Sequence, residues 1–228
     1  MALNGPCGYL KSSARKRVFS SKPKRDGIIQ NLPSAKEKKA LAKDPEMVKT
    51  SRKVAVLVED LYQVLEVWYP ILRLREEGIQ VQSIGTGKKD TYGSKEGYPI
   101  TVDLSIDQAR VEEFDGVIIP GGYAPDILRR YEKVVHFVKR LYIDGRVVAA
   151  ICHGGWVLVS AGVLKGHQAT CFFAIKDDLI AAGARYVDQE VVVDNNLITS
   201  RKPEDLPRFT QEIIRMVKQG YISRQSKK

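Results

Sequence analysis

The 228-residue chain is 43% apolar and 28% charged, as an ordinary globular protein is, and its length suits one domain with an appendage. Its net charge of +10 sits almost wholly in residues 1–52, where 13 Lys/Arg face 4 Asp/Glu, whereas residues 53–228 carry 24 against 23. A folded part this close to neutral argues against a nucleic-acid-binding domain, so the basic balance belongs to the leader.

Residues 1–52 hold no sustained apolar period and are rich in Ser, Lys, Arg and Pro. They bury too little surface to offset their ordering entropy and are expected to be mostly disordered. The first 25 residues lack Asp and Glu, a transit-peptide-like composition, and Arg17-Val18-Phe19-Ser20 offers a processing site. The alternatives are a solvated tail or a translation start at Met47. A cytoplasmic location is expected, and a mitochondrial one if the leader is a transit peptide. Cys7, Cys152 and Cys171 are too few and too unevenly placed for a disulfide framework, which points to a reducing compartment.

The folded domain is expected over 53–220, followed by a basic tail, 221–228. Val54 to Val58 is a continuous apolar run, the pattern of a strand covered on both faces. A helix is expected from about Leu61 to Glu77, with Leu61, Leu65, Trp68 and Leu72 spaced three to four apart, Pro70 as a kink and Gly78 as a stop. Ile79 to Ile84 alternates like a second strand, and Tyr92 to Val102 reads as a small hairpin. The strand Gly116 to Ile119 runs into Pro120-Gly121-Gly122, where two glycines let backbone N–H groups face a ligand or make a simple tight turn. Helix Lys133 to Asp144, strand Val147 to Ile151, helix Trp156 to Ala161, strand Ala169 to Phe173 and helix Ile175 to Ala182 follow. A hairpin, Val191 to Thr199, and an amphipathic helix, Pro203 to Lys218, complete the domain. Alternation of strand and helix implies an α/β fold with a mostly parallel sheet between helical layers.

The stretch Val147 to Trp156 is written as a buried strand turning sharply into a helix, with Cys152 at the corner. Unpaired backbone N–H groups and the helix dipole at such a corner favour the thiolate. The residues alone leave Cys152 open between a nucleophile and a buried structural thiol. Residues 147–164 carry no formal charge over 18 positions, but Gly154-Gly155 and His153 at the centre argue for strand plus core helix and against a membrane span. Cys152, His153, His167 and Cys171 match no standard zinc spacing, and no carboxylate joins them, so no metal site is expected.

Several motifs in register resemble the PfpI branch of the DJ/PfpI superfamily. They are Pro120-Gly121-Gly122-Tyr123-Ala124-Pro125-Asp126, Ala150-Ile151-Cys152-His153-Gly154, Ala174-Ile175-Lys176-Asp177-Asp178 and Asp188 through Asp194, with Thr199-Ser200-Arg201 and Asp205-Leu206-Pro207. The resemblance covers 53 to about 219 and none of the leader. It implies a flavodoxin-like three-layer sandwich with a nucleophile elbow, and subunits that dimerise or form larger rings. By motif position Cys152 is the nucleophile and His153 the residue beside it. Gly121, Gly122 and the His153 N–H supply the oxyanion hole, and Tyr123, Gly154 and Phe172 line the pocket. Asp126 takes the place of an acidic residue that reaches across a subunit contact to orient a histidine.

Three departures from the family pattern bear on the chemistry. Aligned on Glu66 and Tyr69-Pro70, the position of the family's glutamate beside the cysteine is Gln63, an amide that cannot exchange a proton. Phe172 replaces a tyrosine found in some members, and Gly155 stands where proline is frequent. Family members have been assigned peptidase, deglycase and glyoxalase-type activities. The expectation is a cysteine-dependent enzyme acting on small carbonyl compounds or glycated proteins and peptides, without cofactor, metal, nucleic acid or membrane. An intracellular cysteine peptidase, or a non-enzymatic redox-sensing thiol or chaperone, is the alternative.

Overall fold

The computed structural model describes residues 52–220; the expectations for the leader and the tail lie outside the described residues. The first apolar run forms β1 (Lys53–Val58), buried from Val54 onward. It is followed by α1 (Val64–Glu76), β2 (Gln80–Gly85) and the short antiparallel pair β3 (Thr91–Gly93) and β4 (Pro99–Thr101). Then come β5 (Leu104–Ser105), β6 (Gly116–Ile119), α2 (Ala124–Leu128), α3 (Glu132–Ile143), β7 (Val147–Ile151) and α4 (Gly155–Ala161). The chain closes through β8 (Gln168–Ala169), α5 (Lys176–Ala181), β9 (Arg185–Tyr186), β10 (Val191–Asp194), β11 (Leu197–Ser200) and α6 (Leu206–Gln219).

Seven strands make the main sheet in the order β10-β11-β7-β6-β1-β2-β5, parallel throughout except for the β10–β11 hairpin. Asn195 turns that hairpin at φ 57, a conformation asparagine tolerates better than most residues. Helices α1 and α6 pack together on the sheet, as do α3 and α4. The expected face of α6 is buried through Leu206, Phe209, Ile213 and Val217, each contributing about 1.5–3 kcal/mol by leaving water. The chain runs outward from β1 to β2 and returns to β6 on the other flank of β1. The loops leaving β1 and β6 therefore diverge, and in an open α/β sheet the crevice they leave is where ligands bind.

Two expectations change. The stripe Leu61, Leu65 and Leu72 is 47%, 52% and 60% exposed, while Glu66, Val67, Pro70, Ile71 and Leu74 face the core. The spacing was helical, but the apolar face picked from it is the outer one. Residues 169–173 do not form a strand of the main sheet. Only Gln168–Ala169 pairs, with β9, and Phe173–Ile175 is a 3-10 turn. As expected, the uncharged span 147–164 divides into β7, the corner and α4, and no described helix is long and apolar enough to cross a membrane.

Candidate active site

Strand β7 ends in extended backbone at Ile151, and Cys152 then adopts φ 59 before the chain turns into α4. A left-handed conformation at a side chain of this kind costs about 1–3 kcal/mol and persists where the surroundings over-determine it. Here it lifts the thiol out of the strand toward the ends of β1 and β6. Gly121 makes room for it: a Cβ there would lie 2.7 Å from Cys152 Cβ, 3.0 Å from its Sγ and 2.6 Å from Glu66 Oε2. Gly122, at φ 78, would drive a Cβ into the Leu61 carbonyl. The Gly122 and His153 N–H groups act on the sulfur and favour its ionised form.

The carboxyl beside the thiol belongs to Glu66. It is fully buried in the first turn of α1, and its Oε2 accepts a hydrogen bond from the Gly121 N–H at 2.6 Å. Burial raises its pKa to about 7, against the opposing pull of the Gly121 N–H and the Cys152 thiol. Burial likewise pushes the Cys152 thiol up to about 12, and the Glu66 charge adds to the effect. The expectation of a favoured thiolate is therefore reversed. Two N–H groups and a one-turn helix start do not offset desolvation and a carboxylate.

His153 reaches the thiol with its ring as well as its backbone, Nδ1 lying 3.3 Å from Sγ. Its imidazole is held between Trp156, at 5.1 Å between centroids, and Phe172, at 5.0 Å and 31°. Burial lowers its pKa, so the ring is neutral at neutral pH and can accept a proton.

A model of the DJ-1/PfpI family matches residues 52–216. The chain belongs to the DJ-1/PfpI family. It is 42% identical over 166 residues to Deglycase TK1284 of Thermococcus kodakarensis, covering 73% of this chain and 99% of that one. It is 40% identical over 169 residues to Protein/nucleic acid deglycase 2 of Escherichia coli, with 73% and 98% covered. A two-domain Anabaena variabilis protein with DJ-1/ThiJ/PfpI-like and ferritin-like domains superimposes at a TM-score of 0.72 and 39% identity, over 78% of this chain and 52% of that one.

Within this DJ-1/PfpI domain the departures look different in three dimensions. Gln63 is not at the thiol. It caps α1, its side-chain oxygen accepting from the Glu66 N–H at 2.9 Å. The glutamate taken as an alignment anchor is itself the residue beside the cysteine. The signal that finds it is periodicity: Glu66, Pro70 and Leu74 recur every four residues, so a charged side chain lies in the buried stripe of the helix. Gly155 opens α4 in contact range of Leu179 and Ile175, where a Cβ would sit 3.1 and 3.2 Å from their methyls. Phe172 lacks the hydroxyl but keeps a ring against His153, and its N–H donates to the Cys152 carbonyl at 3.3 Å.

The remaining expected site residues separate. Gly154 is buried behind the corner against the Ile119 carbonyl, where it shapes the turn. Tyr123 is 66% exposed at the start of α2. Asp126 pairs with Arg130 on its own surface. His167 is held by the Tyr142 hydroxyl at 2.6 Å and by Asp194, apart from the cysteines with which it was considered. A groove of about 740 Å³ beside α3 includes none of Cys152, His153 or Glu66 in its lining.

Proposed function

We propose that the protein is a cysteine-dependent enzyme of reactive carbonyls, hydrolysing glyoxals and releasing the amine from glycated side chains. The single observation that carries this reading is the buried Glu66 carboxyl beside the Cys152 thiol, the two meeting over Gly121. A thiol this high in pKa does not ionise by itself at neutral pH, so attack needs a partner that takes the proton as the C–S bond forms. Glu66, titrating near neutrality, is matched to that task, and neutral His153 offers a second acceptor on the same sulfur.

Addition of sulfur to the aldehyde carbon gives a hemithioacetal. Its oxyanion forms on the attacked carbon, two bonds from the sulfur and within reach of the Gly122 and His153 N–H groups that act on the thiol. Moving the aldehyde proton to the neighbouring carbonyl carbon turns the adduct into a thioester, and water then releases a hydroxy acid and restores the thiol. For a glycated amine the same hemithioacetal arises as the amine leaves, carrying the proton returned by Glu66. The relatives named deglycases support this direction. So does access: Cys152 is 8% exposed, which suits a small adduct better than an extended main chain offered for peptide cleavage.

We propose in addition that Asp126 acts across a contact between subunits and that Tyr123 lines the mouth of the site. The test of the central reading is lactate formation from methylglyoxal and amine release from a glycated peptide. Both should occur with the native protein and vanish in Cys152→Ser; equal inactivity of the two proteins on both substrates would overturn the reading.

A further inference from the structure

A cleft of about 360 Å³ opens beside the candidate active site, lined by Phe172, Phe173, Tyr186, Asp188, Arg201 and Lys202 among others. Phe172 joins it to the chemistry, because the same ring packs on His153 at 5.0 Å and the same residue's N–H holds the Cys152 carbonyl. Phe173 extends the aromatic surface outward, 4.6 Å from Phe172 between centroids, and is 75% exposed. So exposed a phenylalanine contributes little to the core, and a cleft in this size class accommodates a ligand far larger than a three-carbon carbonyl.

We infer that this cleft binds the carrier of the carbonyl adduct, a peptide with an aromatic residue next to the modified amine, and that Phe173 is the residue that reads it. The inference rests on the carbonyl-adduct reading given above. The pairing of Arg201 favours a peptide over a nucleic acid. Its guanidinium, the group suited to a phosphate, is already bound by Asp188 at 2.8 Å and by Asp205 at 2.9 Å. Of the other cations at the cleft, Lys176 stands over the Tyr186 ring at 5.5 Å and Lys202 lines the wall. An aromatic side chain on the Phe172–Phe173 ledge would gain the offset or edge contacts that such rings prefer.

The test uses the full chain, its Phe173→Ala variant and two synthetic peptides that carry a methylglyoxal adduct on lysine, one with phenylalanine beside it and one with alanine. The native protein should favour the phenylalanine peptide in kcat/KM by about 3- to 10-fold, the range one aromatic contact provides. Phe173→Ala should lose that preference through KM. Equal efficiency on the two peptides, or a preference that survives Phe173→Ala, would overturn the inference. So would a fall in molar mass of Phe173→Ala by light scattering, which would make the ledge a subunit contact, or a higher efficiency on a glycated guanine nucleotide than on either peptide. Fluorescence anisotropy of the unmodified phenylalanine peptide separates the two ideas. Binding without turnover of any adduct sinks the carbonyl reading and keeps the cleft; methylglyoxal turnover with neither binding nor flank preference does the reverse.

Discussion

Replacing Glu66 with glutamine keeps the side chain's volume and an oxygen for the Gly121 N–H but removes the exchangeable proton. Activity and stability should move in opposite directions. Loss of a positioned proton carrier lowers kcat by about 10²- to 10⁴-fold. On the stability side, burial raises Glu66 from 4.5 to about 7. The folded state therefore holds a proton that the unfolded chain has released over that interval, and stability falls as pH rises through it. The carboxyl's contribution is intact below pH 4.5 and lost above pH 7, and at roughly 1.4 kcal/mol per pH unit the loss amounts to about 3 kcal/mol. Glu66→Gln should thus be more stable than the native protein by up to about 3 kcal/mol at pH 8, an advantage that shrinks toward zero at pH 4.5. Urea denaturation at the two pH values measures the stability effect, and lactate formation from methylglyoxal the loss of activity. The native kcat/KM should also climb through about pH 7 as the base form appears, and that limb should be missing in Glu66→Gln. A stability difference identical at both pH values would show that the carboxyl does not titrate in this interval. A kcat within about threefold of native would show that it moves no proton in the reaction.

Other substitutions and probes test the rest of the arrangement. Gln63→Glu should leave kcat where it is, because the residue caps α1 and does not face the thiol, whereas Gln63→Ala should cost on the order of 0.5–1 kcal/mol of stability by thermal or urea melts. Gly121→Ala places a methyl against both Glu66 and Cys152 and should lower kcat by at least about 10²-fold, the scale seen when catalytic groups are displaced by about an ångström; near-native kinetics would show that the two side chains can move apart at no cost. Iodoacetamide should alkylate Cys152 more slowly at pH 8 than it alkylates an unstructured cysteine peptide, since burial and the Glu66 charge hold the thiol protonated; a faster rate would restore the thiolate. The outer stripe of α1, Leu65 and Leu72, continues through Trp68 to Tyr98, whose rings meet at 5.7 Å. If it carries a subunit contact, Leu65→Asp with Leu72→Asp should halve the molar mass by light scattering, and an unchanged mass would clear it of that role.

How much of this was legible without the structure depended on whether a feature announces itself along the chain or only around a helix. Fully buried parallel strands read directly, because β1, β6 and β7 are apolar without interruption, and the corner at Cys152 reads because a thiol and two glycines break such a run. Phe172 and Phe173 misled because alternating bulk looks like a strand, while the chain there leaves β8 for a 3-10 turn that carries the aromatic ledge to the surface. Two expectations about α1 failed, for different reasons. The apolar spacing picked Leu61, Leu65 and Leu72 as the inner stripe, although the buried face is the one that carries Glu66, Pro70 and Leu74. The thiol's partner was assigned by motif alignment with Glu66 as an anchor, and that alignment gave the place to Gln63, which caps the helix. A slip of three positions changes little in a map of secondary structure. Beside the thiol it decides whether the neighbouring group is an amide or an acid, and hence whether the site can move a proton.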